Sequence, residues 1–155
     1  PVIQVGVGIS DTKGVTHKAF GGLVPSKEKR DVLGILFPSD CFVNRAPQRG
    51  VAYAFFIGGM RNPEMIKLSD EEIKRHVIED LHSMMKYPAN TQPDEIAIYR
   101  HARAIPQYES STGARLRSID LLQHKYPGLV IAGNLRDGIG MGDRIKQAYD
   151  IAASM

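Results

Sequence analysis

The sequence predicts an α+β chain: a mixed, mainly antiparallel sheet packed with two to three helices and ending in a strand, a loop and a helix. Three observations carry that expectation. Apolar residues alternate with small or polar ones through much of residues 1–60, a Ser-x-x-Glu box opens an amphipathic stretch beside Leu68, and a glycine-rich loop lies between two apolar segments near the end. The 155 residues are 43% hydrophobic and 24% charged, an ordinary balance for a globular domain. A chain of that length buries roughly 68–70% of its unfolded surface and needs no staple to form a core.

Residues 2–9 put Ile3, Val5, Val7 and Ile9 on one face and Gln4, Gly6 and Gly8 on the other, the period of a strand. The small face leaves room for something to approach closely. Asp11, Thr12, Lys13 and Gly14 have turn chemistry, and residues 15–25 read as the returning strand of a hairpin, weakened at Gly21 and Gly22. Residues 32–37 and 51–59 add two more strands, the latter alternating Val51, Tyr53, Phe55 and Ile57 with Ala52, Ala54 and Phe56. Ser69 and Glu72 then form a capping box, Leu68 and Ile73 a hydrophobic staple, and Ile73, Val77, Ile78, Leu81, Met84 and Met85 one apolar stripe, so a helix runs to about Tyr87. Residues 95–101 read as a strand that leads into a segment broken by Pro106. A second helix starts near Thr112, turns Leu116, Ile119 and Leu122 inward and stops at Pro127. Residues 129–132 read as a buried strand, and a terminal helix has Ile145, Ala148, Tyr149 and Ala152 as its inner face.

Several function classes drop out on composition. Twenty Lys and Arg against seventeen Asp and Glu leave +3 with no basic run, which gives nucleic acid no footprint. The single Cys41 excludes an intrachain disulfide and a cysteine zinc site, and it reads as a structural thiol. No apolar stretch reaches the length of a membrane span, and the start has no signal-peptide pattern. His76 and His82 lie six positions apart on one helix, off a common face, so no metal site is expected, and no residue is assigned a catalytic role. His101 sits beside Arg100 and Arg103, a grouping that either favours an anionic ligand or, the better reading, is a set of solvated arginines.

Two features resist the bland reading. The strand, glycine loop and helix at 129–155 is an arrangement that aims backbone N–H groups and a positive helix end at an acceptor. Asp143 stands where a G-x-G-x-x-G fingerprint needs glycine, so the segment is no dinucleotide motif, and the four glycines of 133–142 serve either a tight turn or a ligand. Phe42, in an otherwise polar loop, is either a core anchor or a ligand wall.

The run from Leu129 through Gly133, Asn134 and Gly138 to Asp143 resembles the carboxy-terminal flavin-contacting segment of the protoporphyrinogen oxidases. In the same order, residues 20–28, 33–37, 42–47, 56–62 and 104–108 are similar to that family's substrate-domain strands and loops. The resemblance implies an FAD-dependent member of the flavin amine oxidase superfamily that oxidises protoporphyrinogen IX to protoporphyrin IX in haem biosynthesis, with oxygen as acceptor. Residues 1–108 would belong to the substrate-binding domain and 109–155 to the carboxy-terminal part of the FAD-binding domain. It implies flavin contacts from Gly133, Asn134, Gly138, Ile139, Gly140, Met141 and Gly142, with the Met141 N–H facing the N1/C2=O edge, and it implies that Phe42 packs on the substrate.

The departures are equally specific. The strand and G-x-G-x-x-G turn that begin such enzymes are absent, as are the basic residues their amino-terminal half offers to substrate carboxylates. Leu135, Asp137 and His101 replace residues more usual at those places. The expectation is therefore a carboxy-terminal fragment, inactive by itself, from a cytoplasmic enzyme whose apolar substrate is compatible with peripheral membrane contact. A strand edge left bare by the missing half would favour a homodimer. Coproporphyrinogen III oxidation by a close relative, and a cofactor-free binding or assembly module, are the alternatives.

Overall fold

Val2–Ile9 forms strand β1, and its alternation of β-branched and small residues decides where everything else in the first unit lies. In this computed structural model, which describes all 155 residues, the chain divides into two compact units, Pro1–Ala104 and Ile105–Met155.

The first unit is a five-stranded sheet in the order β2-β3-β4-β1-β5, with β2 Gly21–Leu23, β3 Val32–Leu36, β4 Val51–Ile57 and β5 Glu95–His101. Every neighbouring pair is antiparallel. The expected hairpin does not form: β1 pairs with β4 on one side and β5 on the other, and residues 15–20 form no strand. Both edges of β1 are taken by longer strands, so the segment after the turn finds a ladder only beside β3, through three residues. That segment instead lays His17 against Phe37, Tyr53 and Tyr87, with its Nε2 donating to the Met85 carbonyl at 2.8 Å. The short helix α1, Pro38–Cys41, follows β3, and the Ser39 hydroxyl accepts from the Ala52 N–H at 3.0 Å where β3 has ended.

Helix α2, Asp70–Ser83, begins at the predicted capping box: the Ser69 hydroxyl accepts from the Glu72 N–H at 3.3 Å, and the Glu72 carboxylate accepts from the Ser69 N–H at 2.8 Å. Ile73, Val77 and Leu81 are wholly buried in one cluster with Ile3, Val5, Val7, Ile9, Phe55 and Ile57. Each such side chain contributes about 1.5–3 kcal/mol by leaving water. Polar ties orient the helix. Arg100 bonds Asp70 at 2.6 Å and the Leu68 carbonyl at 2.7 Å, and Arg30 reaches Asp80 at 2.5 Å and Ser83 at 2.9 Å. Burial pushes the Asp80 carboxyl up even so, and Arg30 offsets only part of that. The free edges are three-residue β2 and β5, whose Glu95, Arg100 and His101 are charged or titratable residues of the kind that blunt an edge.

The second unit holds helices α3, Thr112–Lys125, and α4, Met141–Ser154. Residues 129–132 do not form the expected strand, because this unit contains no other strand to pair with them. The Ile131 N–H is satisfied by the Gln123 side chain at 2.7 Å and the Gly133 N–H by Gln147 at 2.9 Å. The sheet is for the same reason wholly antiparallel rather than mixed. Helix α4 also reverses its expected faces: Ile145 is 66% exposed and Tyr149 73%, with Ala148 and Ala152 outward, while Arg144, Gln147 and Ile151 turn in. On α3, Leu116 and Ile119 are half-buried and Leu122 is exposed. No helix is long and apolar enough to cross a membrane.

Tyr53 and Tyr87 are each 3% exposed, with their hydroxyls 2.9 Å apart. Burial raises both phenols, and for Tyr53 the bond to Tyr87 raises it further. Both phenols stay protonated in the folded state above about pH 10, where the unfolded chain loses its protons, so stability is intact below that pH and falls as pH rises past it. Urea midpoints are expected to fall from about pH 9 to about pH 11, and to fall less in the Tyr53→Phe/Tyr87→Phe variant. Identical falls would contradict this account of the pair.

Candidate flavin and substrate surfaces

Strict alternation gives the sheet of the first unit a second face. Opposite the core lie rows of directly paired residues: Phe56, Gln4 and Tyr99, then Ala54, Gly6 and Ala97, then Ala52, Gly8 and Glu95. Three strands at about 4.8 Å spacing and rows about 7 Å apart make a floor roughly 10 Å across, in which Ala54, Gly6, Ala97, Ala52 and Gly8 carry nothing larger than a methyl, with Phe56, Gln4 and Tyr99 along one end and Glu95 at a corner of the other. A Cβ at Gly6 would meet nothing closer than 3.9 Å, so the floor stands open there, while Ala54 beside it is buried. The small residues of β1 announced it in the sequence. Its breadth depends on which strands flank β1, which the sequence did not reveal, and so Gln4, Phe56, Ala97 and Tyr99 went unnoticed as candidates.

Phe42 follows α1 and is 61% exposed, which removes the core-anchor reading. The Arg45 guanidinium lies 5.7 Å from its ring centroid. Cys41 beside it is exposed. His82 Nε2 donates to the Thr91 carbonyl, 2.9 Å away, and His76 sits 3.6 Å from Asp31. A cavity of about 410 Å³ is lined by His17, Tyr53, Val15, Asp11 and Asp40 among others. Two of its charged groups are already engaged: Asp11 by Arg49 at 2.8 Å, and Asp40 by the Ala19 N–H at 3.1 Å.

The other seven candidates lie together in the second unit, five in the turns between α3 and α4 and two, Met141 and Gly142, in the first turn of α4. Gly133, Asp137 and Gly138 have φ of +121°, +62° and +95°, a succession that cannot lie in a ladder. Gly138 is glycine for a further reason. The Asp143 carboxylate folds back over it and accepts from the Gly140 N–H at 3.0 Å, so a Cβ at 138 would collide with that carboxylate. Asp143 is thus turned onto the loop. Helix α4 begins at Met141, and the one side chain that caps its start, Asp143, is spent on the Gly140 N–H, so the N–H groups of Met141 and Gly142 are left for an acceptor. A Cβ at Gly133 or Gly142 would meet nothing within 4 Å. Free donors at a positive helix end, with open space over two glycines, fit the edge of a delocalised ring that carries carbonyls.

Residues 7–150 match the family described as flavin containing amine oxidoreductase, across both units. The chain belongs to the flavin-containing amine oxidoreductase family. Within it, the chain is 37% identical over 131 residues to protoporphyrinogen oxidase 2, chloroplastic/mitochondrial, of Arabidopsis thaliana, covering 83% of this chain and 25% of that protein. It is 36% identical over 138 residues to the mitochondrial protoporphyrinogen oxidase of Nicotiana tabacum, covering 87% and 27%. The coproporphyrinogen III oxidase of Bacillus subtilis (strain 168) is 24% identical over 132 residues, covering 84% and 28%. The chain therefore spans about a quarter of the length of these relatives. The crystal structure of an Exiguobacterium sp. 255-15 protein described as a candidate protoporphyrinogen oxidase superposes with a TM-score of 0.81 over 99% of this chain and 34% of that one, at 19% identity, a likeness of fold. A flavin is the cofactor of the amine oxidoreductase family, and the α4 start with its glycine loop is where this chain's residues suit one.

Gly138→Ala is expected to displace the Asp143 cap and strain the backbone, destabilising the second unit by about 1–3 kcal/mol in chemical denaturation. Gly142→Ala, in open helical space, is expected to stabilise it by up to about 1 kcal/mol. Equal effects of the two would contradict the packing described.

Proposed function

We propose that this chain is part of an FAD-dependent oxidoreductase that converts protoporphyrinogen IX to protoporphyrin IX in haem biosynthesis, using oxygen as acceptor. The observation that carries the reading is that proteins with this activity are similar to the chain over a length greater than either of its units. The open sheet floor supports it independently, because a broad apolar ring system needs a flat wall free of side chains. In this reading residues 1–108 serve the substrate and 109–155 serve the flavin.

The FAD, when bound, supplies the hydrogen-accepting chemistry. The chain's own residues do the positioning. The Met141 and Gly142 N–H groups hold the carbonyl edge of the ring, and as donors at a helix start they favour negative charge there. Gly133 and Gly142 let the backbone approach, while Asn134, Ile139 and Gly140 shape the same wall. Gly6, Gly8, Ala52, Ala54 and Ala97 leave room for the macrocycle and exclude water from one of its faces, and Phe42 packs against its rim. An apolar surround is what such a substrate requires, with few polar groups needed for orientation.

The test uses the full-length protein that carries this chain. It is expected to bind FAD and to generate porphyrin fluorescence from protoporphyrinogen IX. Faster turnover of coproporphyrinogen III would assign it to the alternative substrate, and FAD binding with neither product would end the enzymatic reading. Gly6→Val, which fills the floor without a backbone clash, is expected to raise KM for the porphyrinogen about tenfold while leaving the thermal midpoint nearly unchanged.

A further inference from the structure

The inward face of α4 is polar, and what it holds is the glycine loop. The Gln147 Oε1 accepts from the Gly133 N–H at 2.9 Å and from the Arg144 guanidinium at 2.6 Å, while its Nε2 donates to the Asp137 carboxylate at 2.6 Å. Arg144 also donates to the Arg136 carbonyl at 2.8 Å, and Arg136 in turn bonds Asp120 of α3 at 2.7 Å. One amide therefore grips the loop at both ends of its 133–137 turn, at the Gly133 N–H and at the Asp137 carboxylate, both on residues of positive φ. A glutamine is suited to this as few side chains are, because it presents an acceptor and a donor from one planar group.

We propose that Gln147 is a positioning residue that sets the conformation of the flavin-contacting loop, and through it the placement of the Met141 and Gly142 donors. The inference rests on the flavin reading of residues 133–142 given above. It goes beyond that reading in giving control of the flavin environment to a side chain one and a half turns inside α4 that needs no contact with the ring. Placement errors of about 1 Å in such a shell are known to change function by as much as about 100-fold. The polarity of α4's inner face follows: an apolar side chain at 147 would leave the half-buried Gly133 N–H without its partner and the Asp137 carboxylate untied from the helix.

The bond to Asp137 has a direction, and reversing it provides the test. In the full-length protein, Gln147→Glu keeps an acceptor for Gly133 and Arg144 but sets two carboxylates against each other. Asp137→Asn in the same chain restores the bond with donor and acceptor exchanged. The expected result is that Gln147→Glu weakens FAD binding about tenfold and alters the visible circular dichroism of the bound flavin, and that Gln147→Glu/Asp137→Asn recovers both. Unchanged flavin affinity and dichroism in Gln147→Glu, or a loss that the second substitution leaves unrepaired, would overturn the inference while leaving the flavin reading intact. Wild-type protein that holds no FAD would overturn both. Gln147→Met, near in volume and unable to bond either end, guards against a charge effect and is expected to show the same loss as Gln147→Glu.

Discussion

The first unit depends on one constraint, that β1 has paired edges on both sides and side chains that strictly alternate. Ile3, Val5, Val7 and Ile9 must meet Ile73, Val77 and Leu81, and a slip of one residue would bury Gln4 and two glycines in their place. The register that fills the core is therefore also the register that leaves Gly6 and Gly8 on the far face. With Ala52 and Ala54 of β4 and Ala97 of β5 brought alongside by the same ladders, stability and an open wall come from one decision.

The second unit is organised differently. Its loop turns through positive φ at Gly133, Asp137 and Gly138 and pairs with no strand, so the burden of satisfying its N–H and C=O groups falls on side chains of the flanking helices. Arg144 and Gln147 answer it from α4 and Gln123 from α3. The apolar stripe of α4, with Met141, Ile145 and Tyr149, is left outward. Such a stripe has the composition of a buried helix face, in keeping with relatives about four times as long as this chain.

What was legible in the sequence followed from local rules. The alternation of β1 and β4, the Ser69 and Glu72 box and the α2 stripe each depend on residues a few positions apart, and each stands as read, save that α2 ends at Ser83, before Met84 and Met85. What failed depended on distant partners. Residues 15–20 have strand composition, but β4 and β5 occupy the edges of β1. Residues 129–132 have it too, and lack a neighbour. Helix α4 has a clear apolar period, which fixes that a stripe exists and says nothing of whether it meets a core; hydrogen bonds to the loop decided which face turned in. Phe42 was undecided for the same reason, since only the packing of α1 could determine its exposure.

The central claim is that the start of α4 and its glycine loop receive the flavin. Residue-resolved hydrogen exchange of the full-length protein, followed as FAD is added, tests it most directly. Met141 and Gly142, in the first turn of α4, have amides with no acceptor in the chain, and they are predicted to exchange rapidly without FAD and slowly with it. Saturation with FAD that leaves those two amides as fast as before would contradict the account.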